Sequence, residues 1–196
     1  MNKLDIVFSG VGGQGVVVLS DIYCEAAMLD GFDVAKAEIH GMAQRGGSIV
    51  AYARIGPKVE SPLIETYKAD AIIGFEVLET ARALPMLKKN GTVVVNTKYI
   101  PPNCTVLGAK PKKPEDLMAL LQAKATVYEV GGVGIAEKLG NLLVVNTILL
   151  GALSALPEIP VKIESFQQAI AGRLKSKYIN LNLKAFQLGR ESVLKR

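Results

Sequence analysis

Residues 10–15 read Gly10-Val11-Gly12-Gly13-Gln14-Gly15 and follow directly on the short apolar run Leu4-Asp5-Ile6-Val7-Phe8-Ser9. A run of that kind ending in glycine is the pattern of a buried strand entering a tight turn. After Gly15 the residues Val16, Leu19, Tyr23, Ala26 and Ala27 recur at helical spacing as far as Leu29, and Gly31 stops the helix. Strand, glycine turn and helix in immediate succession confine the chain to α/β architectures, where such a turn sits at the end of a central strand. Glycines there permit close approach of another group, while the unpaired N–H groups and dipole of the following helix attract phosphate or carboxylate oxygens. The same glycines equally allow close packing of strand, helix and a neighbouring loop or subunit, and the residues leave both readings open.

The rest of the chain extends this pattern. Strands are expected over 33–39, 48–55, 69–76 and 91–96, with Pro57 breaking the second and a helix over 77–87. The alternation predicts an α/β fold of three-layer, Rossmann-like type, with a mainly parallel central sheet and helices on both faces. Beyond Pro101-Pro102, the piece Lys110-Pro111-Lys112-Lys113-Pro114 reads as a surface connection into a helix over 115–123. A last strand over 126–130, a helical turn over 134–140 and an apolar helix over 141–156 follow. Amphipathic spacing over 163–173 and 180–194 predicts a helical C-terminal tail, folded on the domain or offered to a partner. With 196 residues and 49% hydrophobic content, residues 1–196 are expected to form a single domain whose core needs neither disulfides nor metals.

Several function classes are disfavoured. Lys and Arg total 23 against 18 Asp and Glu, and this modest excess lacks the dense basic stretch of a nucleic-acid footprint. The most apolar stretch, 142–156, is interrupted by Asn146, Thr147 and Ser154 and ends at Pro157, short of the roughly 20 residues a membrane span needs. Lys3 and Asp5 do not suit a signal peptide, so a cytoplasmic location is expected. Cys24 and Cys104 are the only cysteines, which provides neither a thiolate cage for zinc nor a four-cysteine iron–sulfur site. No metal site is expected on this chain, and any electron carrier sits elsewhere. Cys24, within the first helix stripe, reads as a buried apolar filler.

The segment His40-Gly41-Met42-Ala43-Gln44-Arg45-Gly46-Gly47 has neither helical nor strand period. Its glycines suggest a backbone that comes close to something. Arg45 can grip a carboxylate or phosphate in two parallel hydrogen bonds, or form a salt bridge across a subunit interface. His40 is the single histidine and has no nucleophile beside it, which favours a hydrogen-bonding structural role. Gln14 is placed to reach this loop. Glu38 lies 23 residues after Gly15, near the spacing of a ribose-binding acid in a dinucleotide fold, and is equally able to pair with Lys36 or a loop donor.

Together, the glycine turn and Glu38-Ile39-His40-Gly41-Met42-Ala43-Gln44-Arg45-Gly46-Gly47-Ser48 resemble the gamma-type domain of 2-oxoacid:ferredoxin oxidoreductases, in wording most like its indolepyruvate branch. The resemblance continues through Ser61-Pro62-Leu63-Ile64, Ala69-Asp70, Phe75-Glu76 and Val94-Val95-Asn96 to residues 141–151. It implies a subunit that packs against a larger alpha-type partner carrying thiamine diphosphate and iron–sulfur (4Fe–4S) clusters. That complex would oxidatively decarboxylate an aryl pyruvate, with coenzyme A accepting the acyl group and ferredoxin the electrons. Gly10, Gly12, Gly13, Gln14, Gly15, His40, Gly41, Gln44, Arg45, Gly46 and Gly47 then become candidates for contact with coenzyme A phosphates or with the partner. The competing readings are a stand-alone NAD- or FAD-binding oxidoreductase using the glycine turn and Glu38, and a purely structural assembly module.

Overall fold

The computed structural model describes residues 3–41, 46–102 and 112–195. Within them six strands, β1 (Leu4–Val11), β2 (Asp33–His40), β3 (Ser48–Gly56), β4 (Ala69–Gly74), β5 (Leu87–Asn96) and β6 (Thr126–Val130), form one sheet in the order β2-β3-β1-β4-β5-β6. The pairs β1/β4, β4/β5 and β5/β6 are parallel, while β1/β3 and β2/β3 are antiparallel. One face is covered by α1 (Val16–Leu29), α4 (Gly132–Lys138), α5 (Val145–Ser154), α6 (Ile163–Arg173) and α7 (Ser176–Leu194). The other face carries α2 (Val77–Ala83) and α3 (Pro114–Lys124). The chain is thus an α/β three-layer structure with a mainly parallel sheet.

β1 is the central strand because both of its faces are occupied: every residue but Val11 is buried. Ile6 and Phe8 enter the larger cluster beneath α1 and α5, and Val7 enters the smaller one beneath α2 and α3. Asp5 is tolerated in this strand because Arg54 clamps its carboxylate with two hydrogen bonds, Nε to Oδ1 at 2.8 Å and Nη2 to Oδ2 at 3.0 Å.

The strand over 33–39 does not lie beside β1, as a strand–helix–strand unit alone would suggest. β3 takes that place, and β2 becomes the edge strand. The physical reason is loop length: only seven residues, 41–47, separate β2 from β3, enough for the antiparallel pairing observed, whereas a parallel crossover needs a dozen or more. The expected helix over 77–87 ends at Ala83, because Pro85 sits in a 3-10 turn, Leu84–Met86, and β5 begins at once with Leu87. The helix over 141–156 starts as a 3-10 turn, Leu142–Val144, where the Asn141 side chain accepts from the Leu143 amide at 2.9 Å.

The C-terminal helices fold onto their own domain. α7 lies so close to α5 that a Cβ on Gly151 would fall 2.0 Å from the Phe186 carbonyl oxygen, and one on Gly189 would fall 1.9 Å from that of Ile148. Phe8, Tyr23, Phe166 and Phe186 then stack in a row with successive ring centroids 5.8, 6.3 and 5.7 Å apart. Cys24 lies buried beside this row, and burial pushes its thiol up to about 12. Among the described residues no helix is long and apolar enough to cross a membrane.

Candidate functional site

The glycine turn leaves the carboxyl end of β1, and Phe75 and Glu76 leave that of the adjacent parallel strand β4. The helices that follow, α1 and α2, depart to opposite faces of the sheet. This is the topological switch point at which open α/β sheets form their ligand crevices. A cleft of about 380 Å³ occupies it, with Gly13, Gln14 and Gly15 on one wall, Phe75, Asn96 and Lys98 on another, and Leu142, Leu143 and Asn146 closing the rim.

Local geometry explains the glycines. Gly13 and Gly15 take φ values of +103° and +83°, in the left-handed region that residues with a Cβ avoid. Gly10 faces a different constraint, since a Cβ there would lie 2.8 Å from Gln14 Oε1, Phe75 Cβ and Val16 Cγ2. Gln14 fastens the turn: its Oε1 accepts from the Val11 amide at 2.7 Å, and its Nε2 donates to the Phe75 carbonyl at 3.2 Å. That same carbonyl accepts from Asn96 Nδ2 at 3.1 Å, and Asn96 Oδ1 accepts from the Gly132 amide at 3.1 Å. β1, β4, β5 and α4 are therefore joined at one point beneath the cleft.

The arginine-bearing loop meets this turn through backbone. The Gly12 amide donates to the Gly47 carbonyl at 2.8 Å, the Gly46 amide to the Gly12 carbonyl at 3.4 Å, and the Gly41 amide to the Ser48 carbonyl at 2.9 Å. Gly10, Gly12, Gly13, Gln14 and Gly15 thus share one neighbourhood with Gly46 and Gly47. Gln44 and Arg45 lie outside the described residues. Beyond the loop, Ser48 donates its hydroxyl to the buried carboxylate of Glu79, which also pairs with Arg82.

Glu38 and His40 are placed differently. They project from edge strand β2, with β3 between them and the strand that feeds the turn. Glu38 accepts from Lys36 Nζ, and its second carboxylate oxygen lies 3.0 Å from His40 Nε2. The Lys36 hydrogen bond, opposed by burial and reinforced by His40, holds the Glu38 carboxyl below the usual carboxylate range.

Electrostatically the cleft favours negative charge. The amides of residues 16–18 precede the first intrahelical bond of α1, Leu19 N–H to the Gly15 carbonyl, and the first turn of α1 carries no acidic residue. Lys98 adds a cation at the rim and forms no ion pair among the described residues. Glu76 is fully buried, where desolvation raises its carboxyl above the usual range while the amides of Glu79, Leu78 and Ile100 bond it and work against that rise. Lys98, Asn146 and the exposed Leu143 are site residues that reading the sequence for motifs missed. Asn96 carried a usable signal, as a polar residue closing a run of β-branched ones.

Comparison with known proteins supplies the family. A family model described as pyruvate ferredoxin/flavodoxin oxidoreductase matches residues 5–192. The indolepyruvate oxidoreductase subunit IorB of Archaeoglobus fulgidus is 43% identical over 189 residues, covering 95% of this chain and 94% of that protein. The pyruvate/ketoisovalerate oxidoreductases common subunit gamma of Thermococcus litoralis is 33% identical, covering 93% of this chain and 92% of that protein. Among solved structures, the keto/oxoacid ferredoxin oxidoreductase gamma subunit of Geobacter sulfurreducens superposes with a TM-score of 0.74 at 26% identity, covering 98% of this chain and 99% of that one.

Proposed function

Because this chain belongs to the pyruvate ferredoxin/flavodoxin oxidoreductase family, we propose that it is the gamma-type subunit of a 2-oxoacid:ferredoxin oxidoreductase acting on an aryl pyruvate, with indolepyruvate the first candidate. The observation that carries this reading is the 43% identity with an indolepyruvate oxidoreductase subunit across nearly its whole length, against 33% with a gamma subunit named for pyruvate and ketoisovalerate. In the reaction the oxoacid loses carbon dioxide, its acyl carbon forms a thioester with coenzyme A, and two electrons pass to ferredoxin.

Thiamine diphosphate and the iron–sulfur clusters belong to a larger alpha-type partner in this reading. The residues of this chain do not suit them. It has two cysteines, and among the described residues no group of three His, Cys, Asp or Glu side chains is placed to hold a metal ion. The subunit contributes the cleft at the glycine turn, whose open helix amides and Lys98 suit either the phosphates of coenzyme A or backbone carbonyls of the partner. Arg45 precedes Gly46 and Gly47 in sequence, the two loop residues bonded to Gly12, and is the second candidate cation for the same contact. The isolated chain is inactive, and the complex works in the cytoplasm.

Substrate choice rests with the larger subunit. The Thermococcus litoralis relative is named as common to two oxidoreductases, so one gamma chain there serves more than one oxoacid. The test is reconstitution with the larger subunit encoded in the same cell, assaying ferredoxin reduction with indolepyruvate, phenylpyruvate, pyruvate and 2-oxoglutarate. Highest turnover on the two aryl pyruvates, dependent on both subunits, is the expected result. Preference for pyruvate or 2-oxoglutarate would overturn the substrate, and full activity of the larger subunit alone would overturn the role.

A further inference from the structure

At the end of the sheet opposite the glycine turn lies a second, larger depression of about 560 Å³. β4 and β5 run parallel to β1, so their first residues, Ala69 and Leu87, mark the pole away from the cleft just described. The floor is apolar, built from Ala81, Leu84, Pro85, Leu87 and Leu120, and Tyr67 stands over it with 68% of its surface exposed. The rim is of one sign: Lys88, Lys89 and Lys124 surround the floor, and no acidic residue lines it. Lys88 pairs with Asp70, whereas Lys89 and Lys124 form no ion pair among the described residues.

Two backbone features single this place out. Tyr67 and Asn90 are the positive-φ residues other than glycine among those described, at 63° and 61°; Tyr67 lines the depression, and Asn90 directly follows its rim residue Lys89. For a tyrosine this conformation is disfavoured by its own Cβ and persists only where the surroundings impose it. They do so here: the Tyr67 amide donates to the Pro85 carbonyl at 3.0 Å, across the mouth of the groove, and the Lys68 amide donates to that of Glu65 at 3.2 Å. The result is an aromatic ring held out in solvent above apolar floor. The β4–β5 ladder shifts register between Ala69 and Ala71, whose partners are Leu87 and Thr92, so Lys88, Lys89 and Asn90 fall in the irregular stretch of β5.

We propose that this groove is a docking site for an acidic polypeptide segment, with a leucyl or aromatic side chain seated on the Leu84, Leu87 and Leu120 floor and flanking carboxylates paired to Lys89 and Lys124. Charge complementarity selects the occupant, because a cationic rim around an apolar floor suits an anchor between acidic residues. A polypeptide fits better than a free small molecule, since the depression is partly open to solvent rather than enclosed and leaves much of a small ligand's surface uncovered. The proposal is independent of the glycine-turn cleft and of the oxoacid reaction.

The test titrates the isotope-labelled chain with the peptide acetyl-DELFDE-amide, its charge-reversed counterpart acetyl-KKLFKK-amide, and octanoate, following backbone amide resonances. Saturable shifts at Leu84, Leu87, Lys89 and Leu120 with the acidic peptide alone are expected, while Gly13 and Gly15 stay unmoved. Lys89→Glu combined with Lys124→Glu should weaken that peptide about tenfold, with the unfolding midpoint unchanged. Should that pair lower the midpoint, Lys89→Ala serves as the second variant and must still weaken binding. Absence of shifts in the groove, equal binding of the charge-reversed peptide, or octanoate binding as tightly as the acidic peptide would each overturn the proposal.

Discussion

The Gly12 amide lies 2.8 Å from the Gly47 carbonyl oxygen it donates to, and the Gly46 amide returns a bond to the Gly12 carbonyl. The turn after β1 and the loop between β2 and β3 are therefore one backbone unit, although Gly12 and Gly46 lie 34 positions apart in sequence. A backbone displacement in either segment is transmitted to the other through these bonds. This coupling is what makes substitutions in the turn informative about the loop that carries Arg45.

Gly10→Ala places a methyl group 2.8 Å from Phe75 Cβ and Val16 Cγ2, both within the buried core, and from the Gln14 carboxamide that fastens the turn. Overpacking of this kind costs about 1–3 kcal/mol. Urea unfolding should show that loss, and the reconstituted complex should lose partner affinity as the turn shifts. Gly13→Ala is the matched control: its Cβ would point into open space, so its cost is the left-handed φ alone, roughly 1–2 kcal/mol. Equal stability of the Gly10 variant and the natural chain would remove the steric argument.

Gln14→Ala leaves the Val11 amide without its acceptor and takes one of two donors from the Phe75 carbonyl, Asn96 retaining the other. One neutral hydrogen bond and one partly satisfied group amount to about 1–2 kcal/mol. Hydrogen exchange at the Val11 amide should accelerate more than the global loss of stability requires, because the opening is local. Exchange there that merely tracks global unfolding would show that the side chain does not hold the turn.

The layers, the strand–turn–helix unit and the neighbourhood of turn and loop were legible in the sequence because each depends on local signals: hydrophobic period, glycine position and element length. The position of β2 at the sheet edge was not legible, because strand pairing is non-local. Only the shortness of residues 41–47 betrays the hairpin, and a glycine-rich segment invites a functional reading before a topological one. Lys98 and Leu143 escaped for a related reason, since neither belongs to a motif and each reaches the cleft through the folding of distant elements. The lysine-rimmed groove was invisible because its floor is ordinary core patterning whose cover the fold omits.

Glu38 offers a pH test. Its carboxyl sits below the ordinary range chiefly because Lys36 bonds the charged form, so its contribution to stability is present above the unfolded-state value of about 4.3 and is lost as pH falls through the lower folded value. Glu38→Gln should cost less than about 1 kcal/mol at neutral pH, as a partly exposed pair does. In acid the gap between variant and natural chain should close. A gap that widens on acidification would mean that Glu38 is destabilising when ionised, contrary to the observed pairing.

The reciprocal contact of Gly151 and Gly189 predicts a strong, non-additive pair of substitutions. Each glycine faces the carbonyl oxygen of the residue three positions before the other, Phe186 and Ile148, and a methyl group at either position would fall within 2.0 Å of backbone. Backbone cannot rotate aside as a side chain can, so α7 must move away from α5. That movement also strains the bond from Arg190 Nη1 to the Ser154 carbonyl, 2.8 Å long, and loosens the packing of the buried Phe186. Gly189→Ala should cost roughly 3 kcal/mol and lower the melting temperature by roughly 10 °C. Gly151→Ala should do nearly the same, yet the double variant should lose much less than the sum, because one displacement of α7 relieves both clashes. Strict additivity would mean that the two positions yield independently and that the helices are not held at this crossing by the glycines.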